Sequence, residues 1–280
     1  MAVSHGWFQT APFAWDAAAA RLHRGERLPD GAVHLEMSGD GPAGVRVRAS
    51  RPLAAPERAA VAARVARMLQ LEREVDGLAE AAAAVDPRLA ADLRDYGGGR
   101  LLCGSSLFED VVKAICGTNV TWRQAVAAIN RIAGLRRDGA FPEPADILRA
   151  GEDRLRERAR VGYRAPSLVE AARAAIDGRL AEVEEASAAG DAEAVTARLR
   201  ALPGIGPATA GFLCLLLGHY DRPAVDSATI RVAAAAWFEG RRPAPREVLR
   251  RVAPAGAYAG LVLYWATVRG WQRETGLAEA

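Results

Sequence analysis

The stretch Leu202–Val232, LPGIGPATAGFLCLLLGHYDRPAVDSATIRV, constrains this chain more tightly than any other part of it. Gly204 and Gly206 give the backbone the freedom a tight turn needs. Pro207 suits the first turn of a following helix, where its missing N–H costs nothing. An apolar helix follows, and Asp226 then opens another. The segment therefore reads as two helices joined by a Gly-rich hairpin, with a carboxylate about twenty residues beyond it. The N–H groups exposed at such a hairpin, together with the positive end of the helix, make a site for an anion such as phosphate. A carboxylate nearby stands where it can serve a sugar carbon held beside that phosphate. Asp226 also suits a helix N-cap, and capping is compatible with chemistry.

Composition narrows the setting. The chain has 280 residues, half of them apolar, which is enough for a substantial core. It has no run of uncharged apolar residues long enough to cross a membrane, and its start lacks the pattern of a secretory signal. Cys103, Cys116 and Cys214 are scattered, so neither a disulfide framework nor a metal or iron–sulfur cluster follows from them. A reducing bacterial cytoplasm, near the nucleoid, is the expected location. The net charge is only +3. Lys113 is the sole lysine and every other basic side chain is arginine, a bias that a GC-rich genome explains. Arginine binds phosphate well but offers no amine nucleophile. A mild basic excess permits nucleic-acid binding without requiring it.

Two regions are expected, a small N-terminal α+β lobe over residues 1–52 and a helical body over 53–280. Val33–Met37 and Val45–Ala49 alternate apolar and polar residues and predict two antiparallel strands. Trp7, Phe8, Phe13 and Trp15 are expected to cover one face of them. From Pro56 onward apolar residues recur at three- and four-residue spacing, predicting a series of helices with Gly stops. EEASAAGDAEA is expected to be a polar loop.

The segment LPGIGPATA, a helix, then VDSATIRV resembles the helix-hairpin-helix, Gly/Pro-rich loop and aspartate element of the DNA glycosylase superfamily that includes endonuclease III. The resemblance covers roughly residues 95–275 and implies a mostly α, two-lobed helical body with a small N-terminal antiparallel β lobe. It places the catalytic role on Asp226. Such a carboxylate stabilises positive charge developing on deoxyribose C1′ or positions a water, as in glycoside hydrolysis. Members that also cut the strand carry a lysine in the hairpin. Ala208 stands there in this chain, which implies a monofunctional enzyme. Lys113 is expected to be a phosphate contact or an exposed helix residue.

GGRLLCGSSLFEDVVKAICGTNVTW and ARVGYRAPSL resemble two further segments of the 8-oxoguanine and 3-methyladenine glycosylase II branch. They imply that Asn119 fills the gap left by a flipped nucleotide, that Tyr163 wedges the stack and that Arg164 reads the orphaned base. Two plainer readings also stand: Asn119 as a helix cap and Tyr163 as a packed aromatic. LHRGERLPDG has no clear counterpart of the 8-oxoguanine-reading segment. Gly204, Ile205, Gly206, Thr209, Thr121 and Arg231 complete the expected DNA contacts, with Arg123 and Arg222 as further phosphate candidates. Trp122, Phe212 and Trp265 are candidates for a base pocket, with core packing the plainer reading of each. A sodium or potassium ion at the carbonyls of Leu202 and Ile205 is the only ion the resemblance suggests. The expected activity is hydrolysis of the N-glycosidic bond of a damaged base in double-stranded DNA by a monomer, with alkylated purines leading. Glycosylases for oxidised or deaminated bases, and a non-catalytic damaged-DNA binder, are the alternatives.

Overall fold

The computed structural model describes residues 3–41, 44–95 and 99–275, the last five by backbone alone. Four strands, β1 (Phe13–Asp16), β2 (Arg21–Leu28), β3 (Gly31–Gly39) and β4 (Val45–Ala49), form an antiparallel meander in that order. The sequence predicts part of β3 and the whole of β4, and neither β1 nor β2. β2 escapes the usual strand pattern because its inward positions alternate apolar and charged: Leu22, Arg24, Glu26 and Leu28 are all buried. Those inward charges are stabilised by partners from the helices. The Arg24 guanidinium grips Glu109 at 2.6 Å and also contacts Glu26, and Arg64 reaches Glu26 at 2.7 Å. An isolated parallel bridge between Gly25 and Ala140 fastens the sheet to the helical body from its other side.

The helices are α1 (Ala55–Met68), α2 (Leu78–Ala83), α3 (Pro87–Asp95), α4 (Leu107–Cys116), α5 (Trp122–Ala133), α6 (Pro144–Arg154), α7 (Ala165–Ile176), α8 (Arg179–Ala188), α9 (Ala192–Arg200), α10 (Pro207–Leu216), α11 (Ser227–Trp237), α12 (Pro245–Val252) and α13 (Ala259–Thr275). A π-helical turn over Leu155–Ala159 follows α6. Most of EEASAAGDAEA, expected as loop, is helix: Ala and Glu are good helix formers, and only Ala189–Asp191 turns, with Gly190 at φ +75° and Asp191 capping α9.

All ten residues of α4 are buried, including Glu109, Asp110 and Lys113. α4 can hold them because each charge is met: Asp110 by Arg67 at 2.7 Å, Glu109 by Arg24 and by Lys113 at 2.7 Å. Lys113 is therefore neither exposed nor a phosphate contact. Its ammonium is closed off beneath the sheet, above the rings of Trp7, Phe13 and Phe141 at 5.2, 4.7 and 5.7 Å. One contiguous apolar core runs from the inner face of the sheet through α4 and α10 to α13. Among the described residues, no helix is long and apolar enough to cross a membrane. All three cysteines are free and buried, and burial pushes their thiols up, that of Cys116 to about 12.

Candidate functional site

α9, the turn over Ala201–Gly206 and α10 form the expected hairpin. The Ile205 N–H donates to the Leu202 carbonyl at 3.2 Å and closes the turn, while the buried Leu202 and Ile205 side chains anchor it. Gly204 sits at φ +85°, and a Cβ there would stand 2.8 Å from the Ser167 hydroxyl on α7 and 3.8 Å from Ile115 at the end of α4. The first intrahelical bond of α10 runs from Ala210 N–H to Gly206 O at 2.9 Å, so the N–H groups of Ala208 and Thr209 precede the ladder at an exposed helix start.

The same contacts bring two loops to this end of the molecule. Asn119 follows α4 in left-handed backbone at φ +51°, a conformation asparagine tolerates better than most residues. Its side-chain amide donates to the Tyr163 hydroxyl at 3.2 Å, across a sequence gap of forty-four residues. Both side chains are exposed, Tyr163 by 66%. Asn119 is thus not the cap of α5. Thr121 holds that place, its hydroxyl accepting from Gln124 N–H at 3.4 Å. Arg164 behaves differently from the expectation of a base reader. Only 8% exposed, it turns inward and donates to the Thr118 carbonyl, with Nε at 3.0 Å, and to the Val161 carbonyl at 3.2 Å. In this arrangement it braces the Asn119 loop from behind. Arg231 lies exposed on α11, one turn beyond Asp226, and Arg222 is drawn to Asp221 at 3.2 Å.

Asp226 caps α11, its carboxylate accepting from Thr229 N–H at 2.8 Å, and remains exposed. Its position is set by Gly211. α10 lies so close to the preceding loop that a Cβ at Gly211 would be 3.0 Å from the Pro223 carbonyl oxygen and 3.1 Å from the Ala224 Cα. One residue on, Phe212 stacks on Tyr264 of α13 at 5.3 Å and meets Trp7 and His5 edge-on at 5.5 and 5.8 Å. The Tyr264 hydroxyl is pushed well above the usual phenol range by burial and then by the negative charge of Asp226, which ties the aromatic group to the aspartate. His5 donates from Nε2 to the Leu102 carbonyl at 2.8 Å, and burial lowers it to about 4, so its ring is neutral at pH 7.

Of the three aromatic candidates, Phe212 alone joins this group. Trp265 points into the core, its indole N–H donating to the Gly99 carbonyl at 3.2 Å. Trp122 lies over Gly6 and donates to Gln9 Oε1 at 2.8 Å, covering the N-terminal turn. Sequence reasoning missed His5, Trp7 and Tyr264. The first two are far from the hairpin in sequence, and Tyr264 differs from its neighbour Trp265 only in helical phase.

The arrangement offers a phosphate cradle, a polar and aromatic projection, and a carboxylate beside aromatic rings. Residues 112–255, more than half of the chain, match the model of the HhH-GPD superfamily base excision DNA repair protein. The chain belongs to that family. Its fold is shared with 3-methyladenine DNA-glycosylase from Archaeoglobus fulgidus (TM-score 0.73, 23% identity, covering 93% of this chain and 89% of that one). It is shared too with MBOgg1, solved with a low-affinity DNA ligand (TM-score 0.72, 20% identity, 98% and 93% covered). A third is the Clostridium acetobutylicum 8-oxoguanine glycosylase/lyase, solved with double-stranded DNA (TM-score 0.67, 18% identity, 96% and 89% covered). No curated protein sequence matches the chain.

Proposed function

We propose that the protein is a monofunctional DNA glycosylase that hydrolyses the N-glycosidic bond of a flipped, alkylated purine and leaves an abasic site. The observation that carries this reading is the exposed Asp226 carboxylate at the start of α11, held by the loop that packs on Gly211 of α10, the second helix of the hairpin, where the next residue, Phe212, stacks on Tyr264. In this account the N–H groups at the start of α10 bind a backbone phosphate. Asn119 and Tyr163 enter the base stack where a nucleotide leaves it, and the extruded base lies against Phe212 and Tyr264. Asp226 stabilises positive charge on C1′ as the base departs, and water completes the hydrolysis.

Two features support the finer parts. A lyase needs an amine at C1′. The sole lysine, Lys113, is fully buried and ion-paired to Glu109, and the hairpin position carries Ala208. The aromatic group is electron-rich and its histidine is neutral, which suits a cationic base that leaves without needing a proton. The resemblance to structures solved with DNA agrees with a duplex partner, and a monomer suffices for this chemistry. The Leu202 carbonyl already accepts the Ile205 N–H, which leaves it one lone pair for a monovalent cation beside the phosphate.

The test is a panel of duplexes, each with a single 3-methyladenine, 7-methylguanine, 8-oxoguanine, hypoxanthine or uracil, incubated with the protein and then split into alkali-treated and untreated halves. Breaks confined to the alkali-treated methylpurine duplexes are expected. Breaks without alkali would contradict the monofunctional assignment, and excision of another lesion alone would replace the substrate class.

A further inference from the structure

We propose that a groove lined by arginines behind the Asn119–Tyr163 projection seats backbone phosphates of the undamaged strand, so that the protein grips both strands of a duplex. This inference rests on the glycosylase reading, which supplies DNA as the substrate. The groove, with a volume of about 500 Å³, runs between α5 and the segment that follows the π-helical turn. Arg123 and Arg131 project from α5, Arg160 from the opposite wall, and the floor includes the buried Cys116, Ala128 and Val161. No lining residue carries a carboxylate.

Two arginines of the neighbouring elements are neutralised. Arg136 pairs with Asp138 and with Asp146 at 2.6 Å, and Arg156 with Glu152 at 2.5 Å and Asp153 at 3.1 Å. Arg123, Arg131 and Arg160 are exposed and have no carboxylate partner among the described residues. Three unneutralised guanidinium groups facing one groove call for an anion, and guanidinium forks match phosphate oxygens bidentately. A second cleft, of about 580 Å³, differs in charge: it is lined by Asp191, Glu193 and Asp221 alongside its single arginine, Arg222.

The position of the groove identifies the strand. Beneath the surface, adjacent buried residues at the end of α4 face two ways, Ile115 toward the Gly204 hairpin and Cys116 toward the groove. The projection formed by Asn119 and Tyr163 adjoins the groove, whose lining includes their chain neighbours, Val120 and Gly162. The hairpin and Asp226 engage the strand that loses its base. A partner strand leaving the projection passes between Arg123 on α5 and Arg160 on the opposite wall, with Arg131 further along α5. Arg164 is already occupied by the Thr118 carbonyl and contributes position rather than charge.

The experiment is equilibrium binding across a salt series to a duplex, and to the matching single strand, each carrying a tetrahydrofuran abasic-site analogue. Wild type is compared with the triple variant Arg123→Ala, Arg131→Ala, Arg160→Ala, and with Arg246→Ala on the exposed face of α12 as a control. Wild type is expected to show a steeper salt slope on the duplex than on the single strand. The triple variant should lose about 0.9 of log–log slope per phosphate contact removed and on the order of tenfold in duplex affinity, while its single-strand binding and Arg246→Ala stay at wild-type values. Equal weakening on both substrates, or an unchanged duplex slope, would overturn the groove assignment and leave the glycosylase reading intact. Wild type that binds neither substrate would overturn both.

Discussion

His5 is held neutral inside the protein by burial, with its Nε2–H committed to the Leu102 carbonyl and the Lys113 ammonium nearby. Its depressed value of about 4, against an ordinary 6.5, has a stability consequence. Between those limits the unfolded chain binds a proton that the folded chain refuses. The contribution is therefore whole above pH 6.5 and is lost as pH falls toward 4, by about 3 kcal/mol over the window. Urea unfolding of wild type and His5→Gln at pH 7 and pH 5 measures this. Wild type should lose about 2 kcal/mol more than the variant on acidification, and equal losses would contradict the account. Residue type and residue place diverge most at such buried polar groups. The place of Asp226 at the start of α11 was legible because hairpin, helix and aspartate are adjacent in sequence. Lys113 was misread as a surface residue because the rings of Trp7 and Phe13 that cover its ammonium lie roughly a hundred residues away, although its carboxylate partner Glu109 is only one turn off. The inward turn of Arg164 was not legible for a related reason, since its acceptor is a backbone carbonyl, which no side-chain pattern reveals.

α10 is the element that joins phosphate cradle to carboxylate. Its exposed start holds the hairpin, and its Gly211 admits the loop that ends in Asp226. Gly211→Ala should displace that loop, because the added methyl meets backbone, which cannot rotate aside. Single-turnover excision is expected to fall roughly tenfold or more, with affinity for abasic DNA within about twofold of wild type. A parallel loss of affinity would show that the hairpin, not the aspartate loop, had moved. The helices were readable from sequence wherever an apolar face recurred at helical spacing, as in α5, α9 and α12. β2 was not, because its buried face carries Arg24 and Glu26. The helical part of EEASAAGDAEA has too few apolar residues to announce a buried face, yet alanine and glutamate favour helix on their own.

At the scale of the molecule, sheet and helices share one core, and buried charge pairs rather than apolar contact alone join them. The aromatic group beside Asp226 is assembled from both ends of the chain, His5 and Trp7 from the first turn, Phe212 from α10 and Tyr264 from α13. That is why the hairpin and aspartate could be read locally and the aromatic group could not. The central claim is that this assembly directs Asp226 at a glycosidic bond. Its most direct test is single-turnover excision by wild type and Asp226→Asn on the methylpurine duplex the protein accepts, with affinity for an abasic-site duplex measured alongside. The amide keeps a side-chain oxygen for Thr229 N–H and removes the charge. Excision should fall by on the order of 10² or more while affinity is retained. An Asp226→Asn protein that excises at the wild-type rate would contradict the account.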